Sequence, residues 1–142
     1  MALSGELVER LEKAVGRYGA GTLSPPAETV AALATIGILP PPDYVEFVAR
    51  FGGCHVGIPV YGLRNSHLLE EASCVDLTLR YRRDGWPGTG TGLVIAIDGN
   101  GDPIVLDADG VVRRPEHDSA TSTVLAPSFH ALLDRYVDDS AG

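Results

Sequence analysis

Residues 94–107 read VIAIDGNGDPIVLD, two apolar runs joined by residues that favour turns. The first run, Leu93 to Ile97, is typical of a central strand, and the Asp-Gly-Asn-Gly stretch 98–101 turns the chain into Pro103 to Leu106. A second Asp- and Gly-containing turn then leads to Val111 to Arg113. The pattern predicts a three-stranded antiparallel meander.

Three amphipathic helices are predicted upstream of this meander. The first spans residues 5–17, the second is short and ends at Gly37, and the third follows Pro40 to Pro42 and ends at Gly52. The apolar residues that define them recur at helical spacing: Leu3, Leu7, Leu11 and Val15, then Val30, Leu33 and Ile36, then Tyr44, Phe47, Val48 and Phe51.

The remaining segments complete an α+β pattern. Residues 58–62 indicate an edge strand, and residues 84–92 form a Gly- and Pro-rich loop. Residues 68–82 fit a strand and a helix equally well by periodicity. A last helix carries Phe129, Leu132, Leu133 and Tyr136, followed by a frayed tail from residue 138. We expect one domain over residues 1–142, a mostly antiparallel sheet packed by N-terminal and C-terminal helices.

The composition narrows the classes of partner and location. Lys and Arg number 11 against 19 Asp and Glu, a net charge of -8 that disfavours nucleic acid and anionic membranes, because phosphate contacts need clustered cations. No apolar run approaches the length of a membrane span. Cys54 and Cys74 are too few for a disulfide framework, which favours a reducing, cytoplasmic location.

Short motifs that resemble metal or phosphate sites fail in detail. Asp98, Asn100 and Asp102 have the spacing of a calcium loop, but Pro103 stands where that loop needs glycine. Residues 88–92 lack the preceding strand, following helix and lysine of a phosphate loop. We therefore interpret both as turns and predict no metal and no cofactor.

Catalytic signatures are also weak. The four histidines, His55, His67, His117 and His130, lie in separate segments without zinc-binding spacing, and no nucleophile stands beside a recognisable base. The sequence therefore predicts no catalytic residue and disfavours an enzyme.

Acidic residues dominate the segment that contains the meander turns. Residues 98–118 contain only two basic residues, Arg113 and Arg114. They contain six acidic residues: Asp98, Asp102, Asp107, Asp109, Glu116 and Asp118. Because most of them stand at predicted turns, we expect them to cluster at one end of the sheet as a docking patch for a basic partner. The alternative, that these turns are simply acidic and solvated, remains open.

Five ordered motifs give the chain a family resemblance. They are Leu39-Pro40 with Asp43-Tyr44 and Phe47, then Phe51-Gly52-Gly53, then Val60-Tyr61-Gly62-Leu63, then residues 94–107 with Gly101 in their turn, and finally Leu125-Ala126-Pro127-Ser128-Phe129. Over residues 24–137 this set resembles the SUKH superfamily, bacterial proteins similar to the yeast Smi/Knr cell-wall and growth regulators. Leu39 is expected to pack with Tyr44 and Phe47, although Pro41 and Pro42 lengthen the usual lead into Asp43.

The resemblance implies both a fold and a role. It implies a helix over residues 73–82 and an α+β fold. It also implies a protein-binding module without known catalytic residues, most often an immunity protein that neutralises a cognate nuclease or deaminase toxin. A regulatory or scaffold role, like that of the yeast relatives, is the alternative. We expect the partner to be that toxin or another protein, and the chain to be a monomer or weak homodimer.

Overall fold

A computed structural model describes residues 3–116 and 121–137 of the 142-residue chain. Five helices occur in these ranges: α1 (Gly5–Tyr18), α2 (Pro26–Ala34), α3 (Pro42–Phe51), α4 (Cys74–Arg83) and α5 (Phe129–Tyr136). Six strands accompany them: β1 (Cys54–His55), β2 (Pro59–Val60), β3 (Leu93–Ile97), β4 (Pro103–Leu106), β5 (Val112–Pro115) and β6 (Ser122–Ala126). The predicted α+β class is confirmed.

The first three helices form where the apolar spacing places them. Ser4 caps α1, its Oγ accepting a hydrogen bond from the amide of Leu7 at 3.2 Å. All four predicted core residues of α3 are buried. In α2 the prediction is wrong for Val30, which is 40% exposed. The buried pair Thr29 and Leu33, four residues apart, defines the inner face, and Val30 lies about 100° from Thr29 and about 60° from Leu33 around the helix, outside the arc between them.

Helix α4 resolves the segment that periodicity leaves ambiguous. Ser73 and Asp76 form a reciprocal capping box, with the Ser73 Oγ accepting from the Asp76 amide at 3.1 Å and Asp76 Oδ2 accepting from the Ser73 amide at 3.2 Å. The helix buries Cys74, Leu77 and Tyr81. The helix implied by the family resemblance is confirmed, and the strand-like alternation is coincidental.

The main sheet has the order β3-β4-β5-β6, with every neighbouring pair antiparallel. The predicted meander is confirmed, but two details of the prediction are wrong. The sheet has a fourth strand, β6, which was not predicted because it follows a polar segment that reads as a loop. Strand β3 is an edge strand of this sheet and not a central one. However, α4 packs on it, and the Tyr61 amide donates to the Ile95 carbonyl at 2.7 Å. These contacts explain why β3 is buried like a central strand.

Glycines permit a close approach of backbone segments at the end of α3. A Cβ on Gly53 would lie 2.7 Å from the amide nitrogen of Gly62 and closer still to Asn65 Oδ1. Asn65 Oδ1 accepts a hydrogen bond from the Gly62 amide at 2.8 Å, and its Nδ2 donates to the Ala72 carbonyl at 2.7 Å. We call Gly21, Gly52, Gly53, Gly62 and Asn65 the glycine junction. It fixes the path of the chain between α3 and α4.

Tyr44 and Asp43 connect α3 to the rest of the core. The Tyr44 hydroxyl donates to the Tyr61 carbonyl at 2.7 Å, and burial raises the pKa of this hydroxyl well above its usual range. Its ring packs edge-on against Phe129 of α5, with ring centroids 5.3 Å apart. Asp43 Oδ2 accepts a hydrogen bond from the amide of His130 at 3.0 Å and so caps α5. One hydrophobic cluster contains residues from all five helices and both sheets.

We expect Gly53→Ala to lower the free energy of unfolding by about 3 kcal/mol, near the upper end for overpacked positions, because backbone and a hydrogen-bonded amide block the new methyl group. Chemical denaturation measures this change. Gly16→Ala is the matched control: nothing lies within 4 Å of its Cβ position in α1, so stability should rise by up to about 1 kcal/mol. Equal effects of the two substitutions would contradict the role of the glycine junction.

Candidate functional site

The predicted acidic residues do not share one end of the sheet. In an antiparallel meander consecutive turns lie at opposite ends of the strands, so Asp98 and Asp102 lie at one end and Asp107 and Asp109 at the other. Glu116 follows β5 and therefore shares the end with Asp98. The expected single cluster is wrong for this geometric reason, and Asp118 lies outside the described residues.

The turn between β3 and β4 is closed by its own side chains. Asp98 Oδ1 accepts hydrogen bonds from the amides of Asn100 at 2.8 Å and Asp102 at 3.0 Å. Its other carboxylate oxygen lies 3.9 Å from an Arg114 guanidinium nitrogen. The carboxylate of Asp98 thus stabilises a turn, as the sequence interpretation of this motif predicts.

The turn between β4 and β5 is partly neutralised by Arg113. This guanidinium donates to Asp107 Oδ2 at 2.6 Å and to Asp109 Oδ2 at 3.2 Å. The amide of Val111 donates to Asp109 Oδ1 at 2.9 Å, and this bond, followed by the one from Arg113, lowers the pKa of Asp109. Two of the predicted partner-binding carboxylates are therefore engaged within the turn.

A groove of about 200 Å³ lies on one face of the sheet, beside the loop before β3. Its lining residues come from that loop, from β4 and β5 and from the start of β6: Pro87, Gly88, Val105, Asp107, Arg113, Pro115, Thr121 and Ser122. Val105 pairs with Arg113, and Arg113 pairs with Val124, so these three side chains share the groove face. The groove therefore reaches the last strand of the sheet.

A second, wider depression of about 580 Å³ lies beside the glycine junction. It is lined by Leu63, Arg64, Asn65, Ser66, His67, Leu69 and Glu71. Arg64 donates to Glu28 at 2.7 Å and to Ser24 Oγ at 3.2 Å, which ties the depression to α2. The Ser66 Oγ is buried without a hydrogen-bond partner in the described part of the chain. Among the polar side chains of this depression, Arg64 and Asn65 are engaged in structural contacts.

Both cysteines are buried, free thiols. Burial raises the pKa of the Cys54 thiol to about 12 and that of Cys74 to about 11. A nucleophilic cysteine needs thiolate at neutral pH, and neither thiol supplies it. Their positions in β1 and α4 identify them as core residues.

One contact between a serine and a histidine escaped the sequence analysis. His130 Nε2 lies 3.4 Å from Ser4 Oγ, a distance reminiscent of a nucleophile and its base. However, Ser4 Oγ already caps α1, and the nearby carboxylate of Asp43 accepts from the backbone amide of His130 rather than orienting its ring. The three residues therefore join helix ends.

Metal and membrane sites receive no support from the described residues. No group of three or more His, Cys, Asp or Glu side chains is placed to hold a metal ion within residues 3–116 and 121–137. Among the same residues, no helix combines the length and the apolar character that crossing a bilayer requires.

Comparison with known proteins identifies the family. The sequence model of the SMI1 / KNR4 family (SUKH-1) matches residues 25–135. The chain belongs to this family. No curated protein matches the chain. Helix α1 precedes the matched region, yet its Leu7 and Leu11 lie in the same hydrophobic cluster as the SUKH-1 residues.

Most of the SUKH-1 motif residues are structural, as expected. Tyr44, Phe47 and Phe129 are fully buried, and Gly52 has a φ of 69° that favours glycine. Leu39 contradicts its predicted role, because it is 78% exposed. Its neighbours Ile38 and Pro40 are buried instead.

The surface of the SUKH-1 chain that sequence reasoning missed is β6. Residues 121–124 are exposed, and Val124, on this edge strand of the sheet, is 58% exposed. The only sequence signal is the uncharged run from Thr121 to Val124, in which three of the four residues are β-branched and which is too short to distinguish from a loop.

We expect Arg113→Gln to raise the pKa of Asp109 only part of the way to its ordinary value. The Val111 amide, the larger cause of the lowered pKa, remains in the variant. A carboxyl ¹³C NMR titration measures this shift. Because the folded pKa lies below the unfolded one, the stabilisation from Asp109 is lost as pH falls through the folded pKa. A complete return of the pKa to its ordinary value would show that Arg113 alone causes the shift.

Proposed function

We propose that this protein is a cytoplasmic immunity protein that binds a cognate bacterial toxin of nuclease or deaminase type and blocks it without a cofactor. The observation that carries the proposal is the match of residues 25–135 to the SMI1 / KNR4 family (SUKH-1). We also propose that residues 1–142 act as one domain, a monomer or a weak homodimer.

The charge of the chain supports a basic partner. A net charge of -8 accelerates encounter with a cationic protein, and carboxylates can occupy a surface that normally binds phosphate. Asp107 and Asp109 are tied to Arg113, so the end of the sheet with Asp102 and Glu116 is the better candidate for this attraction. Asp118, which completes the predicted patch, follows Glu116 closely in the sequence.

The chemistry of the two cysteines and of the contact between Ser4 and His130 supports binding over catalysis. The two thiols are protonated at neutral pH, and the contact between Ser4 and His130 serves helix ends. A regulatory or scaffold role is the second candidate, and the resemblance to the yeast Smi/Knr regulators favours it. Both candidates require a protein partner and differ in what that partner does.

Co-expression with the product of the adjacent gene tests the immunity role. We expect this protein to restore growth to cells that the product kills, and the two to purify as a stable one-to-one complex. A harmless neighbouring product, together with housekeeping proteins as the recovered partners, would favour the regulatory role and contradict immunity.

We expect the double substitution Asp102→Asn and Glu116→Gln to slow association with the toxin and to flatten the dependence of the association rate on salt. Stopped-flow kinetics at several salt concentrations measures both effects. The double substitution Glu9→Gln and Glu12→Gln is the control, because it removes the same charge from the exposed face of α1. Equal effects of the two pairs would mean that net charge alone attracts the partner.

A further inference from the structure

We propose that the free edge of β6 binds an extended, basic segment of the partner, which adds a fifth strand to the sheet. This inference rests on the proposed function, since it specifies how the partner docks. Strand addition of this kind takes affinity from backbone hydrogen bonds and specificity from side-chain pockets beside the edge.

The register determines which backbone groups are available. The Glu116 amide donates to the Thr121 carbonyl at 3.1 Å, so this pair is hydrogen-bonded. Hydrogen-bonded and non-hydrogen-bonded pairs alternate in an antiparallel ladder, which makes the Pro115–Ser122 and Arg113–Val124 pairs non-hydrogen-bonded. Proline has no amide hydrogen to donate, in agreement with this assignment. The amides and carbonyls of Ser122 and Val124 therefore point away from β5.

The described residues leave these groups accessible. Ser122, Thr123 and Val124 are exposed, and no hydrogen bond to the backbone of Ser122 or Val124 comes from another described element. The accessible edge is short, because Arg135 of α5 donates to the Leu125 carbonyl at 2.9 Å and Ala126 is buried. Two residues thus offer four hydrogen-bonding groups to an incoming strand.

The accessible part of β6, Ser122 to Val124, lacks the residue types that usually protect an edge. Proteins block exposed edges with lysine, proline or inward-pointing charges, and residues 122–126 read STVLA. The bulge between Val112 and Arg113 lies toward the far end of the strand and leaves Ser122 to Val124 in regular pairing. This regular part of the edge is suited to pairing with another chain.

The groove lies on the same face as the side chains of the accessible residues. Ser122 and Val124 alternate with Thr123 and share the face of Pro115 and Arg113, which line the groove. Ser122 is small, so a bulky side chain of the incoming strand opposite it can lean over Pro115 into the groove. The groove is thus placed to select a side chain of the bound segment.

The negative charge of the chain favours a basic partner segment as the occupant of this edge. At the end of the sheet where β6 begins, exposed Glu116 pairs with Thr121. Asp98 and Asp102 lie further along the same end, in the turn between β3 and β4, and Arg114 lies 3.9 Å from Asp98. Lysine or arginine in the incoming segment would be attracted there. A second copy of this chain, itself of net charge -8, is repelled instead.

The test uses the full chain and the peptide acetyl-Lys-Val-Lys-Val-Lys-Val-Lys-amide. We expect saturable shifts of the Ser122 and Val124 amide signals in ¹H–¹⁵N NMR spectra. Val124→Pro should weaken binding by about tenfold or more, because it removes an outward amide and obstructs the edge. Val124→Thr is the matched control that keeps the amide, and it should bind within about threefold of the wild type. Ser122→Pro, which acts on the other outward amide, replaces Val124→Pro if that variant melts early.

Three outcomes would overturn the inference. These are the absence of saturable binding at millimolar peptide, equal binding of the analogue with Glu in place of Lys, and a dimer in sedimentation experiments that Val124→Pro dissociates. Protection assays separate this inference from the proposed function. If wild type and Val124→Pro protect cells equally well, the function stands and the edge is not the docking site, whereas loss of protection by the wild type itself would contradict the function.

Discussion

The close approach of backbone at Gly53 is the constraint on which the rest of the fold depends. Asn65 can reach the Gly62 amide only because Gly53 has no side chain in its way. From this point the Gly62 carbonyl accepts the amide of Cys74 at 2.9 Å and so positions the start of α4. The adjacent Tyr61 bonds to β3 through its amide and to Tyr44 through its carbonyl. The glycine junction thus connects the helical half of the molecule to the sheet.

Local sequence signals predicted the helices and strands that are defined by residues close together in the sequence. Helix α3 has one complete apolar face and a glycine stop, and the meander has short Asp- and Gly-containing turns. The Ser73–Asp76 capping box was also visible in the sequence and would have identified α4 where periodicity could not. Leu39 and β6 could not be predicted in this way. The exposure of Leu39 depends on the tertiary packing of its two neighbours, Ile38 and Pro40, which are buried. Strand β6 is a strand only because β5 pairs with it.

The candidate site is harder to predict because it depends on three-dimensional relations between segments. Six acidic residues in sequence order suggested one patch, whereas the alternation of turns separates them and Arg113 binds two of them. The family match covers residues 25–135 and says nothing about which surface meets the partner. On the basis of register and exposure we propose the edge of β6 instead, where outward backbone groups and a groove lie together beside exposed Glu116.

Hydrogen–deuterium exchange of the full chain, alone and in complex with the neighbouring gene product, tests the central claim most directly. Docking at the edge of β6 requires that exchange slow most in the segment 121–126 and at the end of the sheet that carries Glu116, while the core around the glycine junction is already protected in the free chain. Protection confined to α1 or to the depression beside Asn65, with unchanged exchange in β6, would contradict it.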